Sequence, residues 1–362
     1  MSLDKENLEE LREQPLGYWE EMIAVPRNEE VDLLNGIFER VAAIQNVEIK
    51  ETKDLTESTP GFIKLVYENE EYEVGFYPSD FFLPESYFYT SFYFSAEDVE
   101  KIKKSEKALT VFMKFNNNPK KAYHLQLKLV SAMVPDLLVL MDESAERIFP
   151  SAWVATRAKS SITSSAKDLF TVHAVAGENG KVWMHTHGLC RCGTTELEIL
   201  ESDKENYQNH YNLLATFASY LIDKINEFNA DEESAYIGLL INGQPVVATC
   251  VSWTKALREY KKLTLGNVED RQDGHNSKTS VIFVYKSEND ERYRKYSKVT
   301  DYNDLWGDNP IFFISSEETD RMKALALEYF DLMKEASMKE ENHVVLKLGV
   351  PYGSEGELEH IW

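Results

Sequence analysis

Two segments with helical spacing, each set among short runs with strand spacing, constrain this chain more than any other feature. In the first, Asn118 and Pro119 supply a cap and a first-turn proline, and Ala122, Leu125, Leu129 and Met133 share one face before Pro135 ends the pattern. In the second, Ser202 and Glu205 have capping-box spacing, and Tyr207, Tyr211, Leu214, Phe217, Leu221, Ile225 and Phe228 line one face. An apolar stripe must be buried against another layer, and the neighbouring segments read as sheet. Residues 47–53, 62–68, 72–77 and 108–115 alternate or run apolar, and 137–141 is wholly apolar, as in a strand covered on both faces. Strand, helix, strand in that order implies a crossover connection. Further strands are expected at 171–176, 181–187, 197–200, 236–241, 245–251 and 279–285. Asn28 ahead of Val31, Leu34, Phe38, Val41 and Ile44 predicts another helix, and Ser315 with Glu318 opens one carrying Met322, Leu325, Tyr329 and Leu332. The expected fold class is α+β: two mixed or antiparallel sheets with packed helices, and a short C-terminal helix–strand segment.

A chain of 362 residues has room for two or three domains. The expected division is an N-terminal α+β domain over 1–150, a central α+β domain over 151–314, and a C-terminal segment over 315–362. Three cysteines cannot form a disulfide framework, which points to a reducing, cytoplasmic setting. The N-terminus is acidic and polar, without the basic start and apolar run of a signal peptide. No run approaches about 18 apolar residues, so no membrane span is expected. The chain carries 39 Lys plus Arg against 62 Asp plus Glu, a net charge of -23 with acid in excess in both halves. No cationic stripe is present to displace phosphate counterions, so nucleic acid is excluded and the expected partner is another protein. Phosphate-cradling glycine loops, HExxH and GxSxG are absent, and no cofactor is expected.

Residues 183–198, WMHTHGLCRCGTTELE, are the one constellation that suggests chemistry. His185, His187, Cys190 and Cys192 are potential soft-metal ligands, and the two histidines face one side of a strand. A site here would make a metal-dependent hydrolase, with Glu196 or Glu198 as base. The expected hairpin register argues otherwise. Asn179-Gly180 as a two-residue turn pairs Glu178 with Lys181 and sets His173 opposite Thr186, on the face away from His185 and His187. Crowding at Gly188-Leu189 adds to this. The preferred reading is therefore a scaffold, with imidazoles packed on Trp183 and thiols acting as small hydrophobes. Asp142 and Glu143, just after the apolar run, read as solvated loop charges.

HTHGL, Arg191, Gly193 and ELE resemble the central signature of an uncharacterised bacterial family, domain of unknown function 4026. Its pattern runs through Thr186, His187, Gly188, Leu189, Arg191, Gly193, Glu196 and Glu198. The resemblance spans most of the chain and is anchored at 137–200; both cysteines fall at its variable places. A similar turn in suppressor-of-fused-like modules implies protein binding rather than catalysis. Residues 322–362, ending EGELEHIW, are similar to the opening of another small bacterial family, domain of unknown function 2314. That likeness implies further strands after Trp362, so the segment is expected to be truncated or to offer an open sheet edge to a partner.

Ten aromatics lie between Phe76 and Phe94, interrupted by Pro78 and Pro84. Exposed tyrosines there would suit a protein interface; rings covering a core edge are the favoured alternative. The expected function is thus a non-enzymatic protein-binding module using His187, Arg191, Glu196, Glu198, Tyr87, Tyr89 and Tyr93. The alternatives are the hydrolase centred on His185 and His187, and small-molecule binding between the two domains.

Overall fold

A computed structural model describes residues 19–88, 92–225, 227, 233–240, 242–271, 276–306, 310–339, 342–345, 348–352 and 357–361. The first half builds one sheet from β1 (Trp19–Pro26), β2 (Val47–Lys53), β3 (Gly61–Tyr67), β4 (Glu70–Asp80), β5 (Lys107–Lys114), β6 (Leu137–Asp142) and β7 (Arg147–Pro150). Their order is β2-β3-β4-β5-β1-β6-β7, with every pairing antiparallel. The helices are α1 (Ile37–Ala42), α2 (Ala96–Ile102), α3 (Pro119–Met133) and α4 (Ser151–Lys159). Both β5 and β6 run antiparallel to β1, which lies between them, so α3 carries the chain across that strand.

Helix α3 starts where its sequence signals place it, with the Asn118 side chain accepting the Lys121 amide. Its stripe of Ala122, Leu125, Leu129 and Met133 is buried, and so are Tyr123, His124, Gln126 and Leu127 on its other sides. The reason is α4, which covers the outer surface. His124 Nε2 lies 3.0 Å from the Arg157 carbonyl, and Lys128 donates to the Ala158 carbonyl at 2.7 Å. On the sheet side, Gln126 donates to the Glu20 carbonyl at 2.9 Å. Every residue of β6 is buried, as its unbroken apolar run requires.

The second sheet comprises β8 (Thr171–Ala176), β9 (Val182–His187), β10 (Glu196–Ser202), β11 (Ala235–Leu239), β12 (Pro245–Ser252), β13 (Thr279–Tyr285), β14 (Ser297–Lys298) and β15 (Ile311–Phe312). The order is β15-β11-β12-β13-β10-β9-β8, with β14 on β13. The β10–β13 pair is parallel and the others antiparallel, so this sheet is mixed. Helix α5 (Tyr207–Asp223) packs Leu213, Leu214, Phe217 and Leu221 into the core that holds Met184, Leu197 and Ile199. That core is continuous with residues of the first sheet, Met22, Val111 and Leu140 among them. The opposite face carries Trp183, Leu200, Trp253, Val281 and Phe283. Its two sheets and flanking helices make the fold α+β. No helix among the described residues is long and apolar enough to cross a membrane.

Residues up to 314, apart from 160–162, cluster as one unit, and 315–362 form a second with 160–162. The second holds α6 (Ser316–Glu328), α7 (Phe330–Ser337) and a hairpin of β16 (Leu348–Tyr352) with β17 (Glu357–Ile361). Glu328 accepts from the Ser161 amide and hydroxyl, both at 2.7 Å. Where the sequence suggested a lone strand, residues 357–361 return as its partner.

Two local expectations are corrected, and a third keeps its cap. Asn28 caps no long helix: its side chain accepts the Glu30 amide, and only Ile37–Ala42 is helical, entered through left-handed Gly36. Ser202 and Glu205 form no capping box. The Ser202 hydroxyl bonds His210 Nδ1 at 2.8 Å inside the core, and Asp203 takes the Asn206 amide at 2.9 Å. Ser315 accepts the Glu318 amide as expected, and the Glu318 carboxylate also accepts from Arg321 at 2.7 Å.

Burial pushes the imidazoles of His124 and His210 down from 6.5 to about 4. Both are neutral when folded, whereas the unfolded chain takes up protons below 6.5. Their contribution is therefore complete above pH 6.5 and is lost as pH falls toward 4, by on the order of 3 kcal/mol for each. Imidazole NMR should show both rings still neutral near pH 5; two midpoints near 6.5 would contradict this.

Candidate functional site

The chain leaves β9 through a bend whose glycine is obligatory. Gly188 has φ +112°, and a Cβ there would sit 2.3 Å from the Leu169 carbonyl oxygen. A single 3-10 turn, Cys190–Cys192, follows and leads into β10. Glu196, at the start of β10, reaches back over the bend. One carboxylate oxygen accepts the amides of Gly188 and Cys190, each at 2.9 Å, and the other accepts the Thr186 hydroxyl at 2.7 Å. Burial raises this carboxyl above its usual range, and those hydrogen bonds oppose the shift.

Glu198 is equally committed. It accepts the Trp183 indole at 2.8 Å, the Thr279 hydroxyl at 3.0 Å and, on both oxygens, Arg271 at 2.8 Å. The Arg271 guanidinium lies 4.7 Å from the Trp253 ring and 5.4 Å from Trp183. Neither glutamate has an oxygen left over to act as base toward His185 or His187.

Arg191 turns to the other sheet. It donates to the Asp142 carboxylate at 2.7 and 3.0 Å, and also to the Leu169 carbonyl. Its guanidinium lies 4.9 Å from the Tyr123 ring. Burial disfavours its charge, but Asp142 more than restores it and holds the group above its ordinary pKa. Asp142 is completely buried, so the expectation of a solvated loop charge is corrected. It sits at the end of a buried strand and is held by the Tyr123 hydroxyl and the Ala145 amide, both at 3.3 Å.

The expected hairpin register is also corrected. The Gly180 amide donates to the Gly177 carbonyl at 3.1 Å, and the Gly177 amide to Lys181 at 2.8 Å, with Gly180 left-handed at φ +75°. This is a three-residue loop closed by a left-handed glycine, not a two-residue turn, and Asn-Gly suits both. One residue of slip moves every side chain to the other face. His173 therefore pairs with His185, and Thr171 with His187. All three imidazoles stand on one face of β8 and β9.

One ring nitrogen from each of His173, His185 and His187 lies within 4.8 Å of the other two. The rings are 4.7 Å (His173–His187), 5.0 Å (His185–His187) and 5.8 Å (His173–His185) apart, and Trp183 backs His185 at 4.3 Å. Cys190 and Cys192 are not in the group. Cys192 Sγ faces the Gly188 carbonyl at 3.8 Å, and burial pushes both thiols up, away from the thiolate a metal needs.

Glu146, in the β6–β7 turn, faces this group. It lies 3.2 Å from His187 Nδ1 and 3.5 Å from His173 Nδ1. Tyr87 is near: burial raises its phenol, and Glu146, Glu143 and Asp142 raise it further. Tyr93 is 85% exposed, and Tyr89 falls outside the described residues. Of the side chains singled out from the sequence, His185 and His187 thus stand in this group, His187 lies against Glu146, and Tyr87 feels the Glu146 charge. Arg191, Glu196 and Glu198 lie behind the bend in bonds of their own. His173 and Glu146 were not foreseen. The glycine that closes the hairpin loop is the signal for the first; the second depends on a contact between two sheets, which no local pattern carries.

Two family models match the chain: Protein of unknown function (DUF4026) N-terminal over residues 21–163, and Protein of unknown function (DUF4026) C-terminal over 172–283. Together they span well over half of it. No curated protein and no solved structure matches. The similarity of residues 322–362 to the 2314 family is not shown by these matches. Asp142 and Glu146 fall in the first matched stretch, and the three histidines with Arg191 in the second.

Replacing Asp142 with alanine should strand the Arg191 charge and cost about 3–5 kcal/mol in denaturant unfolding. Asp142→Leu combined with Arg191→Met should recover much of that loss. A single variant as stable as the parent would show the pair to be dispensable.

Proposed function

Since the chain belongs to the DUF4026 family, whose function is unknown, its own side chains must supply the reading, and we propose that it is a metal-dependent hydrolase built on His173, His185 and His187. The observation that carries this is the hairpin register that gathers three imidazole nitrogens within 4.8 Å of one another. Three neutral imidazoles suit zinc and its neighbours, and a three-protein-ligand centre keeps a fourth position for water. A bound ion would lower the pKa of that water toward neutrality and provide a hydroxide nucleophile. The three imidazoles differ in burial: His185 is 2% and His187 8% exposed, whereas the His173 side chain retains 30%, beside Glu146 at 27%. Water and substrate approach from that more open side.

The aromatic segment supports a second reading, a docking surface for another protein. Phe82 is 80% exposed alongside Tyr93, and large aromatic side chains in such positions favour interfaces. Serine at both positions would abolish recovery of a stoichiometric partner while leaving metal content unchanged. With its three thiols unbridged, we place the protein in the cytoplasm.

Untagged protein titrated with zinc or cobalt should bind one equivalent. His185→Ala should lose it, and Cys190→Ser with Cys192→Ser should keep it. Zinc at about a hundred times its dissociation constant should stabilise the wild type by roughly 2.7 kcal/mol. Less than about a tenth of an equivalent at saturating metal would dispose of the hydrolase reading.

A further inference from the structure

We infer that Glu146 is the positioning residue of this centre: it aligns two of the three imidazoles from outside the coordination sphere. The inference rests on the metal reading above and specifies how the ligands are oriented. The carboxylate divides itself between two rings, with Oε1 on His187 Nδ1 at 3.2 Å and Oε2 on His173 Nδ1 at 3.5 Å. An imidazole whose Nδ1–H is held by a carboxylate presents Nε2 to a metal, with its tautomer and orientation set and its basicity raised. Two rings fixed by one group share a single alignment. The third ligand is held differently: His185 lies against Trp183, and Glu198, its neighbour in register on β10, gives both oxygens to Arg271.

The backbone around Glu146 is built to hold it there. Glu146 has φ +48°, a left-handed conformation that a residue with a Cβ adopts at a cost of about 1–2 kcal/mol. The turn that imposes it is tied at each residue. The Glu146 amide donates to the Glu143 carbonyl at 3.1 Å, and the Ala145 amide to Asp142 at 3.3 Å. The Ser144 hydroxyl donates to the buried Glu20 carboxylate. Asp142 is itself clamped by Arg191, three residues beyond Gly188. The segment that follows the ligand strand β9 thus fixes the turn whose glutamate returns to the β9 ligand His187. Such closure keeps a carboxylate at hydrogen-bond range from two imidazoles in a fixed geometry, which a solvated surface glutamate would not maintain.

The test uses the full chain as wild type, Glu146→Ala, Glu146→Gly and His185→Ala, titrated with cobalt against a chelator. Glu146→Gly suits the left-handed backbone and guards against a folding defect in the alanine variant. Expected for both Glu146 variants is a loss of about 10- to 100-fold in cobalt affinity, with the visible bands at saturation keeping the positions and intensity of the wild type. Glu146→Gln, which retains one acceptor oxygen, should lose less. Wild-type affinity in the Glu146 variants would overturn the inference. Altered bands at saturation would overturn it too, by making Glu146 a ligand. If wild type binds and His185→Ala does not, the metal reading stands and the Glu146 variants alone decide. If wild type fails to bind, the reading falls and this inference with it.

Discussion

The buried ion pair between Arg191 and Asp142 is the interaction on which the arrangement of the molecule depends. It joins the bend after β9 to the last residue of β6, and hence one sheet to the other. A guanidinium and a carboxylate out of water are worth little as net stability, because desolvation consumes most of their attraction. Their value here is uniqueness. Any packing of the two sheets that separates them leaves a naked charge in the core, at several kcal/mol. The Leu169 carbonyl takes a further Arg191 N–H, and the Tyr123 hydroxyl and the Ala145 amide donate to Asp142, so the pair favours one docking of bend against strand end, with only Arg191 Nε left without a partner.

Two further buried carboxylates act in the same way over shorter ranges. Glu196 fastens the bend to β10, and Glu198 fastens β9 and β10 to Arg271 in the segment that leads to β13. The residues HTHGL, Arg191 and ELE are thus largely a set of internal ties. They explain why the stretch carries so many polar groups in a buried place, and they leave the chemistry to side chains on the same strands that the ties do not use. His185 and His187 point to the face opposite α5, toward the edge strand β8, where His173 completes the group.

Much of the fold was legible in the sequence because it follows from local rules. Asn118–Pro119, the stripe on α3 and the apolar run of β6 each report a neighbourhood of a few residues. The misreadings share a different cause. Ser202 and Glu205 satisfy a capping pattern, yet the Ser202 hydroxyl finds a better partner in buried His210, in the first turn of α5, whose Nδ1 it satisfies. Asn179-Gly180 satisfies two turn types that differ by one residue in register. That single residue decides whether His173 joins its neighbours or faces away from them, so the site's existence turned on a degeneracy that periodicity cannot resolve. Asp142 looked solvated because nothing before residue 150 announces the arginine that meets it.

The charge of the whole chain narrows what such a centre could act on. At -23, with Glu146 against two of the imidazoles, the field draws in divalent cations and repels anions. Phosphate esters would approach against that field, and of the two arginines at the turn, Arg191 is held by Asp142 while Arg147 is turned inward to the carbonyls of Asp168 and Phe170. Neutral or cationic carbonyl compounds, such as an amide or an ester, would need no such cation, since an ion held by His173, His185 and His187 would supply the Lewis acidity itself. If the proposed centre holds an ion, the same acidity would favour acyl transfer over phosphoryl transfer there.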